Sequence, residues 1–340
     1  MAERDYFVGG ADDQQAPTPD FQGLIEPYRH EILVHCYRFL GSLEDAEDAL
    51  QETSLRAWRR LDTLKEPGAL RAWLYKIATR VSLDAIERQK ARTLPSSLYP
   101  PADPKDRLPA PIDDPIWLDP LPEEYLDGNS ADPAARNELR ESVSLAFLVL
   151  LQQLPGRQRA VLILRDVLGW TAKETAETLD FSSAAANSAL QRARATMEKY
   201  RREYPSMADK KMAGMPYAAL INKYQQAWET ADLDSLLELL HEDVIYSMPP
   251  LPVWYQGRDA MRAFLQSYLF SGQAGGRFKL LAFQANGSPA FAIYQSAAGN
   301  AFNLASLQIL SLRNNQIARV DVFLNPGRPI IEKLKLPASL

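Results

Sequence analysis

The sequence predicts a multidomain fold in which two all-α domains are followed by an α+β domain. Three observations lead to this fold class. Apolar residues recur at helical spacing from Phe21 to about Arg92 and again from Asp132 to about Arg202. A proline-rich segment separates these two stretches, and after Pro205 a group of helical patterns gives way to four strand-like runs. At 340 residues the chain is long enough for three domains.

The domain boundaries follow from changes in composition. Between Pro95 and Pro133, ten of 39 residues are proline and nine acids stand against two bases, so neither a helix nor a sheet is expected there. Large apolar residues within this segment, such as Trp117 and Leu121, predict that it docks on a neighbouring surface. The expected division is a flexible tail at 1–20, a helical domain at 21–94, a linker at 95–131, a second helical domain at 132–203, a short linker at 204–212, an α+β domain at 213–326 and a tail at 327–340.

Composition excludes several classes of protein. The chain carries 38 Lys and Arg against 43 Asp and Glu, a net charge of −5, which excludes a uniformly basic coat for nucleic acid but not local basic faces. A single cysteine excludes an internal disulfide or a cysteine-based zinc site, and with only three histidines we expect neither a metal site nor a cofactor. No apolar run is long enough for a membrane helix, and the acidic N-terminal stretch is unlike a secretory signal, so we expect a cytoplasmic protein without a membrane partner.

Residues 43–52 predict a helix that carries five acids and no base. Its expected apolar side consists of Leu43, Ala46, Leu50, Leu55 and Trp58. Its opposite side bears Asp45, Glu47, Asp48, Gln51 and Glu52. Such a face is either a solvated surface or a docking site for a basic partner, and the residues alone leave both possibilities open.

The next predicted helix is basic. From Arg71 to Arg92, six bases stand against two acids, with aromatic residues between them. Cations neutralise phosphates and aromatic faces stack on unpaired bases, so this composition favours single-stranded or opened DNA. The candidate DNA-contacting residues are Trp73, Tyr75, Lys76, Arg80 and Arg88. Because Trp73, Ile77 and Val81 are spaced as core residues, we expect Tyr75, Lys76 and Arg80 to be the exposed ones.

A helix-turn-helix is predicted farther along the chain. Thr171 is placed to cap a short helix, with Glu174 at the capping-box position. A turn at Asp180, which lacks the common glycine, leads to a longer basic helix from Ser182 or Ser183. The candidate residues for base and phosphate contacts are Thr171, Ser183, Asn187, Ser188, Gln191, Arg192 and Arg194. A helical bundle that does not bind DNA is the alternative interpretation.

Three segments resemble the two conserved domains of the extracytoplasmic-function (ECF) sigma factors of the sigma-70 family. They are DAEDALQETSLRAWRRL, GALRAWLYKIATRVSLDAIERQKAR and LPGRQRAVLILRDVLGWTAKETAETLDFSSAAANSALQRARATM. The resemblance implies a factor that binds core RNA polymerase, at the β′ clamp helices and the β flap, and starts transcription at promoter DNA. It implies that the acidic helix docks on the clamp helices, that the Trp73–Arg92 helix opens the −10 element, and that the Ser183–Arg194 helix reads the −35 element.

The last third of the chain resembles the SnoaL-like, NTF2-like α+β cone. The resemblance is carried by Trp228–Asp234, Leu239–Val244, Tyr255–Arg258 and Val320–Pro326. It implies a domain that contacts the sigma domains or the linker and regulates them, and a pocket for an unknown small molecule. The candidate pocket residues are Trp228, His241, Tyr246, Tyr255 and Asp321. The carboxylate that isomerase relatives use near Ser247 is missing, so we assign no catalytic residue.

Several alternatives stay open at this point. Asp321 and His241 are equally consistent with a structural hydrogen bond and a helix end. The chain is a sigma factor with a fused regulatory domain, a helix-turn-helix regulator that acts without core polymerase, or a small-molecule enzyme of the isomerase type with a DNA-binding appendage. The apolar and basic stretch Asn325–Pro337 is expected to pack back on the acidic linker or the helical domains.

Overall fold

The computed structural model describes residues 21–64, 66–112, 116–126, 133–203, 217–271, 275–296 and 301–340. The predicted flexible tail at 1–20 and the predicted short linker at 204–212 lie outside the described residues.

The first helical domain is built from four α-helices. They are α1 (Phe21–Ile25), α2 (Arg29–Leu40), α3 (Leu43–Arg59) and α4 (Leu70–Ile86). Gly41 ends α2 in the left-handed conformation, at φ 69°, and the Ser42 side chain then caps α3 by accepting a hydrogen bond from the Asp45 N–H. This tight turn brings α2 and α3 together, and both pack on α4.

The second helical domain contains the predicted helix-turn-helix. Its helices are α5 (Pro133–Glu141), α6 (Leu145–Gln152), α7 (Gly156–Leu162), α8 (Ala172–Leu179) and α9 (Ser183–Glu203). The predicted capping box is confirmed: the Thr171 hydroxyl accepts from the Glu174 N–H, and the Glu174 carboxylate accepts from the Thr171 N–H. The cap fixes where α8 begins, and the left-handed Asp180 at its other end, at φ 56°, leads into α9.

The C-terminal domain packs helices against a six-stranded sheet. The helices are α10 (Tyr217–Thr230), α11 (Leu233–Glu238) and α12 (Arg258–Phe264), and α13 (Arg328–Lys333) follows the last strand. The strands are β1 (Leu240–Ser247), β2 (Trp254–Gln256), β3 (Phe278–Ala285), β4 (Ser288–Ser296), β5 (Phe302–Arg313) and β6 (Gln316–Leu324), in the spatial order β2-β1-β6-β5-β4-β3.

The strand pairs are antiparallel, as predicted, with one exception. β1 and β6 pair in parallel, because α12 and four strands separate them in the sequence and allow the chain to cross over. The two predicted hairpin turns are confirmed: Asn286-Gly287 and Asn314-Asn315 join antiparallel strands with φ between 50° and 66°.

Two hydrophobic cores hold the molecule together. One lies inside the cone formed by the C-terminal sheet and its helices. The other continues from the first helical domain through the linker and the second helical domain to the outer face of the sheet, where it includes Ala292 and Tyr294. The linker residues Leu118, Leu121 and Leu126 are at most 3% exposed within it, so the linker is docked, as its apolar residues predicted.

Candidate nucleic-acid and polymerase interfaces

A basic groove lies on the first helical domain. It has a volume of about 440 Å³ and is lined by Arg56, Arg60, Thr63, Trp73, Lys76, Ile77 and Arg80. The half-buried Trp73 forms an aromatic wall among four cations. Cations beside an aromatic face are the combination that holds a phosphate backbone and stacks an unpaired base.

Tyr75 does not lie in this groove, and the expectation that it is exposed is wrong. Its side chain is 3% exposed, its hydroxyl donates to Glu31 at 3.3 Å, and its ring meets those of His35 and Trp170 edge-on. Burial raises the pKa of Tyr75 to about 12. Arg88, a further candidate of the same set, does not line the groove and is exposed beyond the end of α4.

The two remaining groove candidates are held by the second helical domain. Lys76 Nζ donates to the carbonyl of Glu177 at 3.2 Å, and Arg80 Nε donates to the carbonyl of Thr178 at 3.3 Å. Arg80 Nη2 also pairs with the Asp180 carboxylate at 2.9 Å. The last carbonyls of a helix carry its negative dipole end. These carbonyls and the Asp180 carboxylate place negative charge beside the cations of the groove, as a DNA phosphate would.

The exposed face of α9 carries most of the candidate −35 residues. Ala186, Ala189, Leu190 and Ala193 are buried against the domain. The residues left exposed are Ser183, Asn187, Ser188, Gln191 and Arg192. Arg194 is also exposed but forms a two-bond ion pair with Asp166, at 2.9 and 2.6 Å. The Thr171 hydroxyl is engaged in the capping box, donating to Glu174 at 2.6 Å.

The acidic face of α3 is partly covered by its own chain. Arg92 pairs with Asp45 at 2.6 Å, and Arg56 pairs with Glu52 at 2.6 Å. Lys333 of α13 pairs with Glu47 at 2.5 Å. Asp48 and Gln51 are exposed. The C-terminal tail therefore reaches the same face that the sequence marks for a protein partner.

Leu55 and Trp58 extend this face instead of joining the apolar side. They are 48% and 62% exposed, whereas Leu43, Ala46 and Leu50 are buried as expected. The expectation for Leu55 and Trp58 is wrong because Leu55 lies five residues after Leu50, and five helical steps of about 100° turn a side chain away from the starting face. Leu55 and Trp58 each follow an exposed residue, Asp48 and Gln51 respectively, by seven positions, so helical spacing places them on the same exposed face.

The linker is held tightly against the turn between α2 and α3. The Leu118 N–H donates to the carbonyl of Thr93, and the Asp119 N–H donates to the carbonyl of Gly41, both at 3.0 Å. A Cβ on Gly41 would lie 2.4 Å from Leu118 Cδ2, so glycine is required by both the left-handed turn and this contact. Burial raises the pKa of the Asp119 carboxyl.

The two helical domains also contact each other directly. Arg38 Nη2 donates to the Ser142 hydroxyl at 2.7 Å, and Arg159 donates to the carbonyl of Phe39. Both arginines are almost fully buried, and burial lowers the pKa of each to about 10. Separation of the two domains would break these bonds, so both arginines contribute to the direct contact between the domains.

The five candidate pocket residues do not form one pocket, and this correction has a structural cause. Trp228, Tyr246 and Tyr255 are each 1% exposed within the aromatic core of the cone. Asp321 lies on the opposite face of β6 from Val320 and Val322, where it pairs with Arg319, which also bonds Ser96 of the linker. His241 contacts Arg313 near the other end of the β1–β6 pair.

The described residues contain no group of three or more His, Cys, Asp or Glu side chains arranged to hold a metal ion. Within the same part of the chain, no helix is long and apolar enough to cross a membrane. Cys36 is buried, and its pKa is raised to about 12 by burial, so its thiol is not a nucleophile near neutral pH.

Known families match all three domains. The Sigma-70 region 2 family matches residues 24–92, the Sigma-70, region 4 family matches residues 144–197, and the SnoaL-like domain family matches residues 221–320.

Individual proteins match across these boundaries. The chain is 41% identical to the ECF RNA polymerase sigma factor SigG of Mycobacterium tuberculosis (strain ATCC 25618 / H37Rv), over 94% of this chain and 85% of that protein. It is 30% identical to SigJ of the same strain, over 66% of this chain and 63% of that protein. The crystal structure of M. tuberculosis SigJ has a similar fold, with a TM-score of 0.58 and 22% identity, covering 93% of this chain and 99% of that one. The chain therefore belongs to the ECF family of RNA polymerase sigma factors, with a SnoaL-like domain after its two sigma domains.

Proposed function

We propose that this sigma factor engages polymerase and promoter through three separate surfaces, which its SnoaL-like domain holds in a restrained arrangement. As an ECF sigma factor it binds core RNA polymerase, recognises promoters and is a transcription initiation factor, not an enzyme. We assign the acidic face of α3 to the β′ clamp helices, the basic groove to the −10 element and the exposed face of α9 to the −35 element. We assign the β flap to the second helical domain and the cytoplasm as the place of action.

One observation carries the restraint. Lys76 and Arg80, the cations of the basic groove that the sequence marks for DNA, are bonded to the end of α8 and to Asp180. A DNA backbone has to replace these partners before it occupies the groove. In this arrangement, the end of α8 and Asp180 occupy two cations of the groove, so opening precedes binding of the −10 element.

The tail restrains the polymerase-binding surface in a similar way. Lys333 neutralises Glu47, and Lys335 pairs with Glu124 of the linker, so α13 is anchored to both segments. A basic polymerase surface competes with Lys333 for the same carboxylate. We therefore infer that the SnoaL-like domain lowers activity until a signal or the polymerase itself displaces it.

The two alternative functions differ in what they require of the chain. A regulator that acts without core polymerase needs no acidic docking face. An enzyme needs an open cavity with convergent polar groups. The candidate residues do not line such a cavity. Aromatic side chains fill the cone, and His241 and Asp321 lie apart from each other.

Charge reversal on α3 tests the proposal. Glu44 and Asp48 are exposed one helical turn apart, so the double variant Glu44→Arg/Asp48→Arg changes the face without emptying the core. We expect its affinity for core RNA polymerase to fall at least about tenfold, since charge complementarity becomes repulsion. Binding to a −35 duplex is expected to stay unchanged.

The matched control carries the same change in charge on the SnoaL-like domain, at the exposed residues Glu238→Arg and Glu242→Arg. Both proteins are compared by titration against immobilised core polymerase. Equal affinities for the wild type, the α3 variant and the control would contradict the assignment of the acidic face of α3 to the clamp helices.

A further inference from the structure

The hairpin turn between β3 and β4 enters the contact between the other domains. Asn286 and Gly287 form this turn in left-handed conformations, with φ of 54° and 66°. A hairpin tip normally faces solvent, yet Asn286 is 0% exposed. Its neighbours are Tyr37 of α2, Leu121 of the linker and Val143 between α5 and α6, each also 0% exposed. We call these four residues the junction.

The side chain of Asn286 bonds to every other member of the junction. Its Oδ1 accepts from the Leu121 N–H at 2.9 Å. Its Nδ2 donates to Tyr37 Oη at 2.9 Å and to the carbonyl of Val143 at 2.8 Å. The Asn286 N–H donates to the carbonyl of Leu121, also at 2.9 Å. One residue of the SnoaL-like domain is thus bonded to both sigma domains and to the linker.

The direction of these bonds requires an amide. Tyr37 Oη donates its proton to the carbonyl of Asp119, so it accepts from Asn286. The carbonyl of Val143 accepts only. An ionised carboxylate at position 286 has no proton for either group and brings its charge against both oxygens in a site without water access.

Gly287 completes the fit for a separate reason. A Cβ at this position would lie 2.5 Å from Arg140 Cβ, so only glycine lets α5 approach the turn. The Gly287 N–H donates to Glu123 at 3.2 Å, and Arg140 pairs with the same carboxylate at 2.8 Å. The end of α5 and the linker are therefore positioned by the turn as a unit.

We propose that Asn286 is the positioning residue through which the SnoaL-like domain holds the two sigma domains against each other. This inference rests on the proposed function in one respect: breaking the junction releases Lys76 and Arg80 for DNA. Arg38 and Arg159 bond the sigma domains directly, so loss of Asn286 loosens the arrangement without abolishing it.

The test is the Asn286→Asp variant of the full chain, because aspartate tolerates the left-handed conformation and matches asparagine in shape. Asn314→Asp is the matched control: Asn314 occupies the left-handed position of the other hairpin turn, at φ 50°, and is exposed. Amide hydrogen exchange is followed in residues 117–126 and 139–145, with residues 317–322 of β6 as an internal standard for the fold of the cone. Binding of a single-stranded −10 oligonucleotide is measured on the same samples.

We expect Asn286→Asp to speed exchange in 117–126 and 139–145 at least about tenfold, with β6 unchanged, because buried partners lose their donor. The affinity of the Asn286→Asp protein for the oligonucleotide is also expected to rise. The Asn314→Asp protein is expected to match the wild type in both exchange and affinity. Tyr37→Phe, which removes one of the partners of Asn286, is expected to give a smaller effect in the same direction and serves if Asn286→Asp does not fold.

Unchanged exchange in the junction segments, in either variant that folds, would overturn the role of Asn286 whatever the DNA result. Faster exchange without a change in oligonucleotide affinity would support Asn286 as the positioning residue. That second result would reject the proposal that the closed arrangement masks the groove, so the two failures are distinct.

Discussion

Asp180 shows at the scale of one residue how a turn position acquires a second role. The position after α8 requires φ 56°, a conformation that usually favours glycine and that aspartate also tolerates. Glycine would satisfy the turn but would leave Arg80 without its carboxylate partner. The absence of glycine from this helix-turn-helix is therefore explained by a contact with another domain.

We predict that Asp180→Asn increases the affinity of the full-length protein for a single-stranded −10 oligonucleotide. Asparagine keeps the left-handed turn, but the ion pair with Arg80 is lost. The pair is largely exposed, so the expected increase is modest, up to about fivefold. Fluorescence anisotropy of the labelled oligonucleotide measures it.

Asp234→Asn is the control for that experiment, since its pair with Arg262 at 2.8 Å is similarly exposed but lies on the SnoaL-like domain. An Asp180→Asn protein that binds the oligonucleotide no better than this control would contradict the idea that Asp180 takes the place of a phosphate.

At the scale of elements, the tail after β6 joins the sheet to α3. Residues Ala338 and Leu340 bond to the backbone of Leu304 and Phe302 at the start of β5, and Tyr294 donates to the carbonyl of Pro337. The other end of the tail carries α13, with Lys333 on Glu47. The tail is therefore fixed both to the sheet and to α3.

We predict that Lys333→Ala raises the affinity of the full-length protein for core RNA polymerase about two- to fivefold, because Glu47 becomes available to the polymerase. Surface plasmon resonance on immobilised core measures the change. Arg328→Ala, an exposed substitution in the same helix, controls for general effects on α13. Equal affinities for these two variants would exclude competition at Glu47.

At the scale of the whole molecule, the hydrophobic core that the domains share is the dominant feature. It contains residues of α2, the linker, α6, α9 and the outer face of the sheet. Removal of the SnoaL-like domain takes Asn286 away from the linker residue Leu121, which is now fully buried and bonded to it. The sigma domains are consequently not in the same state with and without their C-terminal partner.

We predict that residues 1–206 alone adopt a more open arrangement and start transcription more readily than the full chain, because the groove and α3 are no longer restrained. Run-off transcription with core RNA polymerase, from the protein's own upstream region, compares monomers selected by size. Small-angle scattering of the same samples reports the opening. A truncated protein that is equally compact and equally or less active would contradict the proposed restraint.

Local signals in the sequence are sufficient for particular caps and turns. The Thr171–Glu174 capping box and the Asn-Gly turn are decided by residues within a few positions of each other, so both could be predicted. The docking of the linker was predictable because large apolar side chains in a proline-rich segment have to be buried somewhere.

The candidate site was less predictable because distant contacts decide it. Trp73 and Tyr75 exchange their expected roles since Trp170, almost a hundred residues later, covers Tyr75. The sequence predicts a pocket position for Asp321 because it does not show which face of β6 meets the linker. The pairing of Lys333 with Glu47 spans most of the chain and has no local signal at all.

The position of the junction along the chain has a consequence for synthesis on the ribosome. The sigma domains are complete at Glu203, whereas Asn286 and Lys333 are translated afterwards. At ~5–20 residues per second, a nascent chain spends on the order of ten seconds with both sigma domains made and their restraint still missing. During this interval the sigma domains of each nascent chain are not yet held together by the SnoaL-like domain. A polymerase that binds the nascent chain at that stage meets a sigma factor whose DNA-binding groove is still accessible.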